Sequence, residues 1–330
     1  MSQNITIIMP CYNGIKYIKK AVDSLLAQTH ADWELIIGDD GSKDGTREYL
    51  STLKDSRIKV FFHKKNLGIF GNLNFLFSKA SFSLTQILCQ DDYFLEHNSL
   101  KTLLDYWSGI PSEIAFIRTS HGHDSHASLA KYETQVLPEL VTPAQSSLYF
   151  YIFGNIPGNL SNVSLRTSLV QEQGGFREDL PYAGDFEFWS RVGQTQSWMI
   201  CPTNIMYVRS HNQQASATLN QKGELLSQLA EVITRLYNTL VQQGINPNGL
   251  KWMATINYIS LHRDTGIKKL IFKGDPLYLS LVTKHLDASI FALRPSLSWA
   301  VYFITMGGRF FRVLSFKAIF GNLLKTMNRS

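Results

Sequence analysis

The chain lacks the features that most often assign a sequence to a class at first sight. Its 330 residues include only three cysteines, Cys11, Cys89 and Cys201, which are too few and too far apart for a disulfide framework or a zinc site. This cysteine usage fits a reducing compartment such as the cytoplasm. The N-terminal residues show no basic segment leading into an apolar one, so we expect no signal peptide.

Three common ligand-binding loops are also missing or incomplete. The sequence has no G-x-x-x-x-G-K-[S/T] phosphate loop and no G-x-G-x-x-G after its first apolar run, which argues against a Walker site and a dinucleotide-binding fold of that type. A calcium loop starting at Asp40 would put Ser51 at its twelfth position, where a bidentate glutamate is required. The sequence therefore offers no ready-made phosphate, dinucleotide or calcium site.

The apolar residues are arranged as short runs between segments of helical periodicity. Runs at 5–9, 33–38, 58–62, 84–89 and 114–118 recur about every 25 to 30 residues, a rhythm typical of β-α-β units. With 44% apolar and 18% charged residues, the chain can bury a large core. The pattern predicts an α/β fold.

The organisation changes along the chain. The segment 119–150 loses periodicity and is predicted to be an irregular connection, whereas 160–210 regains order and the residues after Ala215 read as helical. We therefore divide the chain into a domain of residues 1–216 and a helical region of residues 217–330.

Two pairs of adjacent aspartates each close an apolar run. Asp39-Asp40 follows the second run and Asp91-Asp92 follows the fourth. Like charges at a sheet edge are unfavourable unless a cation or hydrogen-bond donors neutralise them, and ligands of such sheets bind at the carboxyl ends of strands. The pairs predict a ligand site. An Asx turn with a helix cap at Asp44 is the structural alternative for the first pair.

Four segments, in this order, resemble the large inverting nucleotide-sugar glycosyltransferase family with the GT-A fold. They are Ile7–Gly14, which contains the turn Pro10-Cys11-Tyr12-Asn13, then Asp39–Ser42, Asn66–Asn74 and Cys89–Asp92. The resemblance covers roughly residues 4–216. It implies a Rossmann-like, mixed, mostly parallel sheet flanked by helices, followed by a helical C-terminal extension.

The resemblance also implies how a nucleotide-sugar donor is held. It places the Tyr12 ring against the base and Asp39 on a base N–H, which favours uracil; thymidine and guanosine donors stay as alternatives, as does simple loop packing of Tyr12. Asp40 is expected at the ribose or in a turn. The remaining donor-binding positions that it implies are Pro10, Asn66, Gly68, Asn74 and Asp91.

A divalent cation is expected at the second pair, because a departing nucleoside diphosphate leaves negative charge that a metal can neutralise. Carboxylates suit Mg²⁺ or Mn²⁺. The resemblance implies that Asp92 contacts the metal and that Asp91 works on the ribose or on metal-bound water, although Cys89 stands where the family often has an acid. His211 is implied as a third metal ligand and Arg209 as a diphosphate contact; a polar surface loop is the alternative.

The segment around Asp185 resembles the family's E-D motif at the start of a helix, which implies that Asp185 is the catalytic base. A single displacement needs one carboxylate to take the proton of the acceptor hydroxyl. Gly184 stands where the family usually has glutamate, and Glu187 is the reserve candidate. The alternative is that Asp185 only caps its helix.

The C-terminal tail carries the net charge of +6. Residues 288–330 hold six Lys or Arg and no Asp or Glu, and the longest uncharged stretch, between Arg294 and Arg309, is 14 residues, short of the roughly 20 that a spanning helix needs. Apolar residues recur between the cations at near-helical spacing, which predicts a segment lying on an anionic membrane. The alternative is a helix docked on its own core.

Together these expectations describe an enzyme that moves a sugar from a nucleotide donor, a UDP-sugar being favoured, to a hydroxyl of a glycan or lipid-linked acceptor. Its setting would be bacterial surface polysaccharide or glycolipid synthesis at the cytoplasmic face of the membrane. The alternatives are an inactive membrane-associated scaffold of the same fold and a sugar nucleotidyltransferase. Nucleic acid is not an expected partner, because the positive charge lies in an apolar tail.

Overall fold

The computed structural model describes residues 4–122, 137–210, 223–307 and 311–327. The chain divides into two compact units, Met1–Thr142 with Pro157–His211, and Pro143–Ile156 with Asn212–Ser330. This division differs from the predicted boundary, because residues 143–156 belong to the second unit and not to the first.

The described elements follow in chain order. The strands are β1 (Ile5–Cys11), β2 (Trp33–Asp39), β3 (Ile58–Phe62), β4 (Leu84–Ile87), β5 (Tyr93–Phe94), β6 (Ile114–Gly122), β7 (Leu140–Val141), β8 (Val163–Arg166) and β9 (Ser197–Tyr207). The helices of the first unit and its neighbouring segment are α1 (Ile15–Leu26), α2 (Thr46–Ser51), α3 (Gly68–Phe77), α4 (Ser99–Ser108), α5 (Pro143–Phe153), α6 (Ser168–Glu172) and α7 (Gly184–Val192), with a 3-10 turn at Leu160–Asn162. The later helices are α8 (Leu225–Gln242), α9 (Pro247–Ala254), α10 (Ser260–Lys273), α11 (Leu277–Val282), α12 (Pro295–Ile304) and α13 (Arg312–Met327), with π-helical turns at Thr255–Ile259 and Thr283–Asp287.

The described strands form one mixed sheet in the first unit, in the order β3-β2-β1-β4-β8-β6-β9-β5, with β7 paired to β9. The pairs β1–β2, β1–β4 and β2–β3 are parallel, while β8 is antiparallel to both β4 and β6. The chain builds β2 and β3 on one side of β1 and then crosses through α3 to place β4 on the other. A topological switch point therefore lies at the carboxyl ends of β1 and β4, where such sheets bind ligands.

The elements form where the apolar pattern predicted them. All seven residues of β1 and all seven of β2 are buried, as expected for central strands covered on both faces. In α1 the buried side chains, Ile18, Ala21, Val22 and Leu25, make one stripe along the helix. The apolar spacing was therefore sufficient to locate the parallel half of the sheet.

The prediction of an irregular connection over 119–150 is wrong for residues 119–122 and 143–150, whereas residues 123–136 lie outside the described part of the chain. Strand β6 continues to Gly122, and α5 begins at Pro143. Every residue from Gln145 to Phe153 is buried, so α5 has no polar face and hence no helical periodicity to detect. Within the second unit the Tyr151 hydroxyl donates to the Leu250 carbonyl of α9, which explains why α5 belongs to that unit.

The C-terminal helix α13 is docked on the core of its own unit through part of its apolar face. Phe316 and Phe320 are buried, and the Phe316 ring centroid lies 5.3 Å from that of Phe153. The Arg312 guanidinium donates to the Ile152 carbonyl at 2.9 Å. The prediction of a free membrane-facing stripe is therefore wrong for these residues, which follow the alternative of a docked helix. None of the described helices is both long and apolar enough to cross a membrane.

Phe316→Ala tests this docking. Phe316 is 1% exposed and Leu314, in the same helix, is 65% exposed. We expect Phe316→Ala to lower the free energy of unfolding by about 3–5 kcal/mol, because it removes a buried aromatic ring and leaves a cavity. Leu314→Ala is the control and should change it by less than about 0.5 kcal/mol. Denaturant unfolding of the full chain measures both; equal effects would contradict the docked position of Phe316.

Candidate functional site

Asp39, the last residue of β2, is a buried carboxylate with one unsatisfied oxygen. Its Oδ2 lies 2.7 Å from Arg47 Nε and accepts the Ser42 N–H at 3.3 Å. Its Oδ1 makes no hydrogen bond within the described part of the chain, although it is buried. A buried acceptor without a donor is unfavourable, so this oxygen is suited to accept an N–H from a ligand.

The loop after β1 presents the Tyr12 ring from a fixed backbone. Gln90 holds this backbone on both sides: its Oε1 accepts the Tyr12 N–H and its Nε2 donates to the Tyr12 carbonyl, both at 2.9 Å. Gly14 leaves room for Gln90, since a Cβ at Gly14 would lie 2.1 Å from Gln90 Oε1. The Tyr12 side chain is 49% exposed. A ring in this position can stack on a base, as the sequence predicted; the role of Gln90 had no sequence signal.

Side chains of the loop after β2 fix the same backbone from the other side. The Asn13 N–H donates to Ser42 Oγ at 2.8 Å and the Gly14 N–H donates to Thr46 Oγ1 at 2.9 Å. Asp44 accepts the Thr46 N–H at 3.1 Å from one residue before Gly45, the N-cap of α2. The expected Asx turn is therefore present, but Asp44 is not the N-cap residue. The two loops that flank the switch point are therefore one hydrogen-bonded structure.

Asp40 holds a turn. Its carboxylate accepts the N–H groups of Leu67 at 2.7 Å and Gly68 at 2.9 Å, and Asn66 Nδ2 donates to the Asp40 carbonyl at 3.0 Å. Burial raises the pKa of Asp40 above its usual value. Asp40, Asn66 and Gly68 thus bind one another, which agrees with the turn role expected for Asp40. The predicted contacts of these residues with the donor stay predictions.

Two further residues predicted to bind the donor are used elsewhere in the fold. Asn74 donates to the Phe176 carbonyl at 2.9 Å and accepts the Phe176 N–H at 2.8 Å, so its amide joins α3 to the loop before α7. Pro10 lies inside β1 and is buried. Their predicted contacts with the donor stay predictions.

The second acidic pair lies just beyond β4. Asp92 is buried; its Oδ2 accepts the Ser161 hydroxyl at 2.6 Å and its Oδ1 accepts the Arg209 N–H at 2.9 Å. Burial, with the charge of neighbouring Asp91, raises the pKa of Asp92 to about 7. The same Ser161 Oγ accepts the Cys89 N–H at 2.8 Å. Ser161 is thus a positioning residue for the predicted metal ligand, and sequence reasoning missed it.

The pair fits a hard divalent cation. Its donors are carboxylate oxygens, and the raised pKa of Asp92 shows that its charge lacks full compensation. In the described ranges no group of three or more His, Cys, Asp or Glu side chains could hold a metal, and His211 lies outside them. Asp91 and Asp92 would therefore supply one or two ligands, with phosphate oxygens completing the shell. Burial raises the pKa of the Cys89 thiol, which argues against a thiolate ligand.

Arg209, the predicted diphosphate contact, is next to the same pair. Its backbone N–H binds Asp92 as described, and its guanidinium carbon lies 4.9 Å from the ring centroid of Tyr17 and 5.4 Å from that of Tyr93. A cation held by aromatic rings close to two carboxylates is well placed to meet an anionic ligand. Its predicted contact with the diphosphate stays a prediction.

Asp185, the predicted base, is the second residue of α7 and is partly exposed. The glutamate usual at position 184 does not fit here, because a Cβ on Gly184 would lie 2.6 Å from the Phe70 ring. Glu187, the reserve candidate, is buried and its Oε1 lies 3.0 Å from Arg191 Nε. Asp185 is therefore the acid of this segment that can meet a substrate, although its place in the first turn also fits a helix-capping role.

A shallow cavity of about 350 Å³ lies at the opposite edge of the sheet. Among its lining residues, Asn4 precedes β1, Leu84 begins β4, and Arg166 pairs with Leu84. None of the acidic residues discussed above lines it. The chemistry-bearing side chains are at the carboxyl ends of the strands, so this cavity is not the candidate site.

Comparison with known sequences agrees with this geometry. Residues 6–167 match the family model described as Glycosyl transferase family 2. An uncharacterized glycosyltransferase of Haemophilus influenzae is 26% identical over 290 residues, which cover 84% of this chain and 86% of that protein. An uncharacterized glycosyltransferase of Rickettsia felis is 26% identical over 225 residues, 67% of this chain, but the match spans only 36% of that protein. Residues 6–167 therefore belong to glycosyl transferase family 2.

One shorter match and two solved structures add to this. Escherichia coli WfgD, named UDP-Glc:alpha-D-GlcNAc-diphosphoundecaprenol beta-1,3-glucosyltransferase, is 37% identical over 91 residues, 28% of this chain and 36% of that protein. Staphylococcus aureus TarS 1-349 in complex with UDP-GlcNAc has a TM-score of 0.62 at 16% identity, covering 98% of this chain and 92% of that chain. The mannosyltransferase PcManGT from Pyrobaculum calidifontis, in complex with GDP-Man and Mn²⁺, has a TM-score of 0.52 at 16% identity, covering 94% and 87%. The predicted family and the GT-A fold are confirmed.

A pH dependence follows from Asp92. Because its pKa is raised from 3.8 to about 7, the folded state keeps this proton to higher pH than the unfolded chain does. The free energy of unfolding should therefore fall as the pH rises through that interval. The Asp92→Asn variant has no carboxylate at this position and should lack this part of the pH dependence. In EDTA, the melting temperature of wild type should fall relative to that of Asp92→Asn by roughly 2 °C or more as the pH rises from about 5 to about 8.

The control for this measurement is Asp105→Asn, at an exposed carboxylate on α4. It should follow the wild-type pH dependence. If wild type and Asp92→Asn also run parallel across the interval, the buried, proton-retaining state of Asp92 is wrong.

Proposed function

We propose that the chain transfers a sugar from a UDP-sugar to an acceptor hydroxyl with inversion at the anomeric carbon, assisted by a divalent metal. The observation that carries the proposal is the Asp39 Oδ1, a buried acceptor without a donor, at the same sheet edge as the Asp91-Asp92 pair. A single extended ligand that offers an N–H at one end and phosphate charge at the other satisfies both features. A nucleoside diphosphate sugar is such a ligand.

The part of the site that would bind the nucleotide base, formed by Asp39 and Tyr12, favours uridine. Uracil has one ring N–H for Asp39 Oδ1, and its face can stack on the half-exposed Tyr12 ring. The matched E. coli relative is named for a UDP-glucose donor, and the similar TarS structure holds UDP-GlcNAc. Guanosine stays the alternative, since the PcManGT complex contains GDP-Man.

The diphosphate end supports Mn²⁺ or Mg²⁺. Asp92, with Asp91 beside it, would hold the cation, whose chemistry is to neutralise the charge that develops on the departing diphosphate. Ser161 and the Arg209 N–H orient the Asp92 carboxylate. The Arg209 guanidinium adds a fixed positive charge for the phosphates.

Asp185 acts as the base in this proposal. As the acceptor oxygen forms its bond to the anomeric carbon, the bond from that carbon to the diphosphate oxygen breaks and the hydroxyl proton passes to the Asp185 carboxylate. One displacement inverts the anomeric configuration. The position of Asp185 in the first turn of α7 suits a carboxylate, because the helix dipole favours negative charge there.

The name of one relative and the positive charge of the C-terminal residues support the proposed acceptor and the proposed location at a membrane. WfgD is named for an acceptor linked to diphosphoundecaprenol, and residues 288–330 of this chain carry positive charge without acidic residues. We therefore place the activity in polysaccharide or glycolipid synthesis, peripheral to an anionic membrane surface on its cytoplasmic face. A lipid-linked saccharide is the acceptor class that this setting favours.

A donor screen tests the nucleotide and the metal. UDP-, GDP- and TDP-sugars with Mn²⁺ or Mg²⁺ should raise the melting temperature only where the donor binds, by mass action. We expect UDP-sugars with a metal to give the largest shift and slow release of UDP. Asp39→Asn should reduce the UDP shift more than it reduces the shift with metal alone. A larger shift with GDP-sugars would overturn the uridine assignment.

Asp185→Asn tests the base. Loss of a general base costs about 100-fold or more in turnover, so kcat should fall by that amount while the thermal shift with UDP and metal stays near wild type. Asp179→Asn, at an exposed carboxylate in the loop before α7, is the control and should leave kcat unchanged. Normal turnover by Asp185→Asn would refute the base assignment. NMR of the product anomer checks inversion.

A further inference from the structure

Large apolar side chains that are more than half exposed are confined to one unit. In the described part of the chain there are seven of them, and all belong to the second unit: Ile271, Phe272, Ile290, Phe303, Ile304, Met306 and Leu314. In the first unit the most exposed large apolar side chain is Tyr12, which the candidate site already explains. Exposed apolar residues concentrated in this way indicate an interaction surface.

Two of them lie at the end of α10, where the helix projects beyond its packing. The buried residues of α10 are Ser260, Arg263 and Gly266, and none of its later residues is buried. Ile271 is 69% exposed and Phe272 is 80% exposed. The last two turns of α10 therefore carry large apolar side chains that are mostly exposed in the described part of the chain.

The end of α12 repeats the arrangement. Phe303 is 69% and Ile304 is 73% exposed, next to the C-terminal end of the helix. Buried Arg263 fixes α12 against α10, since its guanidinium donates to the Ser298 carbonyl at 3.0 Å and lies 2.6 Å from Asp287 Oδ1. The contacts of Arg263 therefore join the start of α10 to α12 within the second unit.

The charges around the α10 end are positive. Its sequence there is Lys268-Lys269-Leu270-Ile271-Phe272-Lys273. Two acids lie near these three lysines in sequence: Asp264 pairs with Lys268 at 2.7 Å, and Asp275 accepts the Leu277 N–H at 2.9 Å. Lys269 and Lys273 therefore supply the excess positive charge of the α10 end. Lysines that flank exposed Ile and Phe match an anionic lipid surface, where the apolar side chains enter the acyl boundary and the ammonium groups stay at the headgroups.

We propose that the α10 end, Lys268–Lys273, together with the α12 end at Phe303 and Ile304, binds the surface of an anionic bilayer. The contact lies on these helix ends and not on the stripe of α13, where Phe316 and Phe320 are already buried in the protein. The inference rests on the membrane setting of the proposed function, but lipid binding can be measured without any donor or acceptor.

The test is sedimentation of the full chain with vesicles of phosphatidylglycerol and phosphatidylcholine, without nucleotide. Wild type should bind the anionic mixture and not pure phosphatidylcholine. Ile271→Gln/Phe272→Gln should lower the partition coefficient of the protein onto these vesicles at least tenfold, which corresponds to about 1.4 kcal/mol of binding free energy. Phe303→Gln/Ile304→Gln should weaken it to a comparable degree. Lys269→Gln/Lys273→Gln should reduce binding mainly at low salt, because that term is electrostatic.

The matched control is Leu26→Gln/Leu140→Gln, which changes two exposed leucines of the first unit and should bind vesicles as wild type does. Unchanged melting temperatures show that the variants are folded. The proposal is overturned if wild type does not bind anionic vesicles, or if the α10 variant, Ile271→Gln/Phe272→Gln, binds them as wild type does. It is also overturned if light scattering shows a wild-type dimer that this variant no longer forms. Release of UDP from a UDP-sugar without acceptor should be unchanged in the α10 variant, so a failure of lipid binding is separate from a failure of the transferase proposal.

Discussion

Two adjacent carboxylates at the end of β4 are the constraint that organises the first unit. Asp92 is buried beside Asp91, and the Ser161 hydroxyl and the Arg209 N–H offset only part of its charge, so its pKa is raised to about 7. Burying a carboxylate in this state is unfavourable. A bound cation would offset its charge, as the proposed function requires.

The rest of the site is rigid because its loops bind one another. Gln90 holds the backbone of Tyr12, Ser42 and Thr46 hold the two residues that follow Tyr12, and Asp40 holds the turn before α3. These hydrogen bonds are made before any ligand arrives. Fixed donors and acceptors need no reorganisation on binding. Among the described residues of this site, Asp39 Oδ1 is a buried acceptor without a donor.

Sequence reasoning succeeded where a pattern is local. The apolar runs predicted β1 to β4, and the four matching segments led to the family and fold. It did not foresee partners that are distant in the chain, such as the N–H groups of Leu67 for Asp40 and of Phe176 for Asn74. Helix α5 was missed because it is buried all round and has no periodicity. Gln90 and Ser161 were missed because their roles depend on contacts across more than 60 residues.

The sequence by itself determined the strands, the acids at their ends and the family of residues 6–167, because apolar spacing and short motifs are properties of neighbouring residues. Only the tertiary structure decided which acids bind partners inside the protein. It committed Asp40 and Glu187 to partners inside the protein, left one oxygen of Asp39 without a donor, and buried Phe316 while exposing Phe272. Hydrogen-bond satisfaction and burial depend on packing between distant segments, and no local pattern records them.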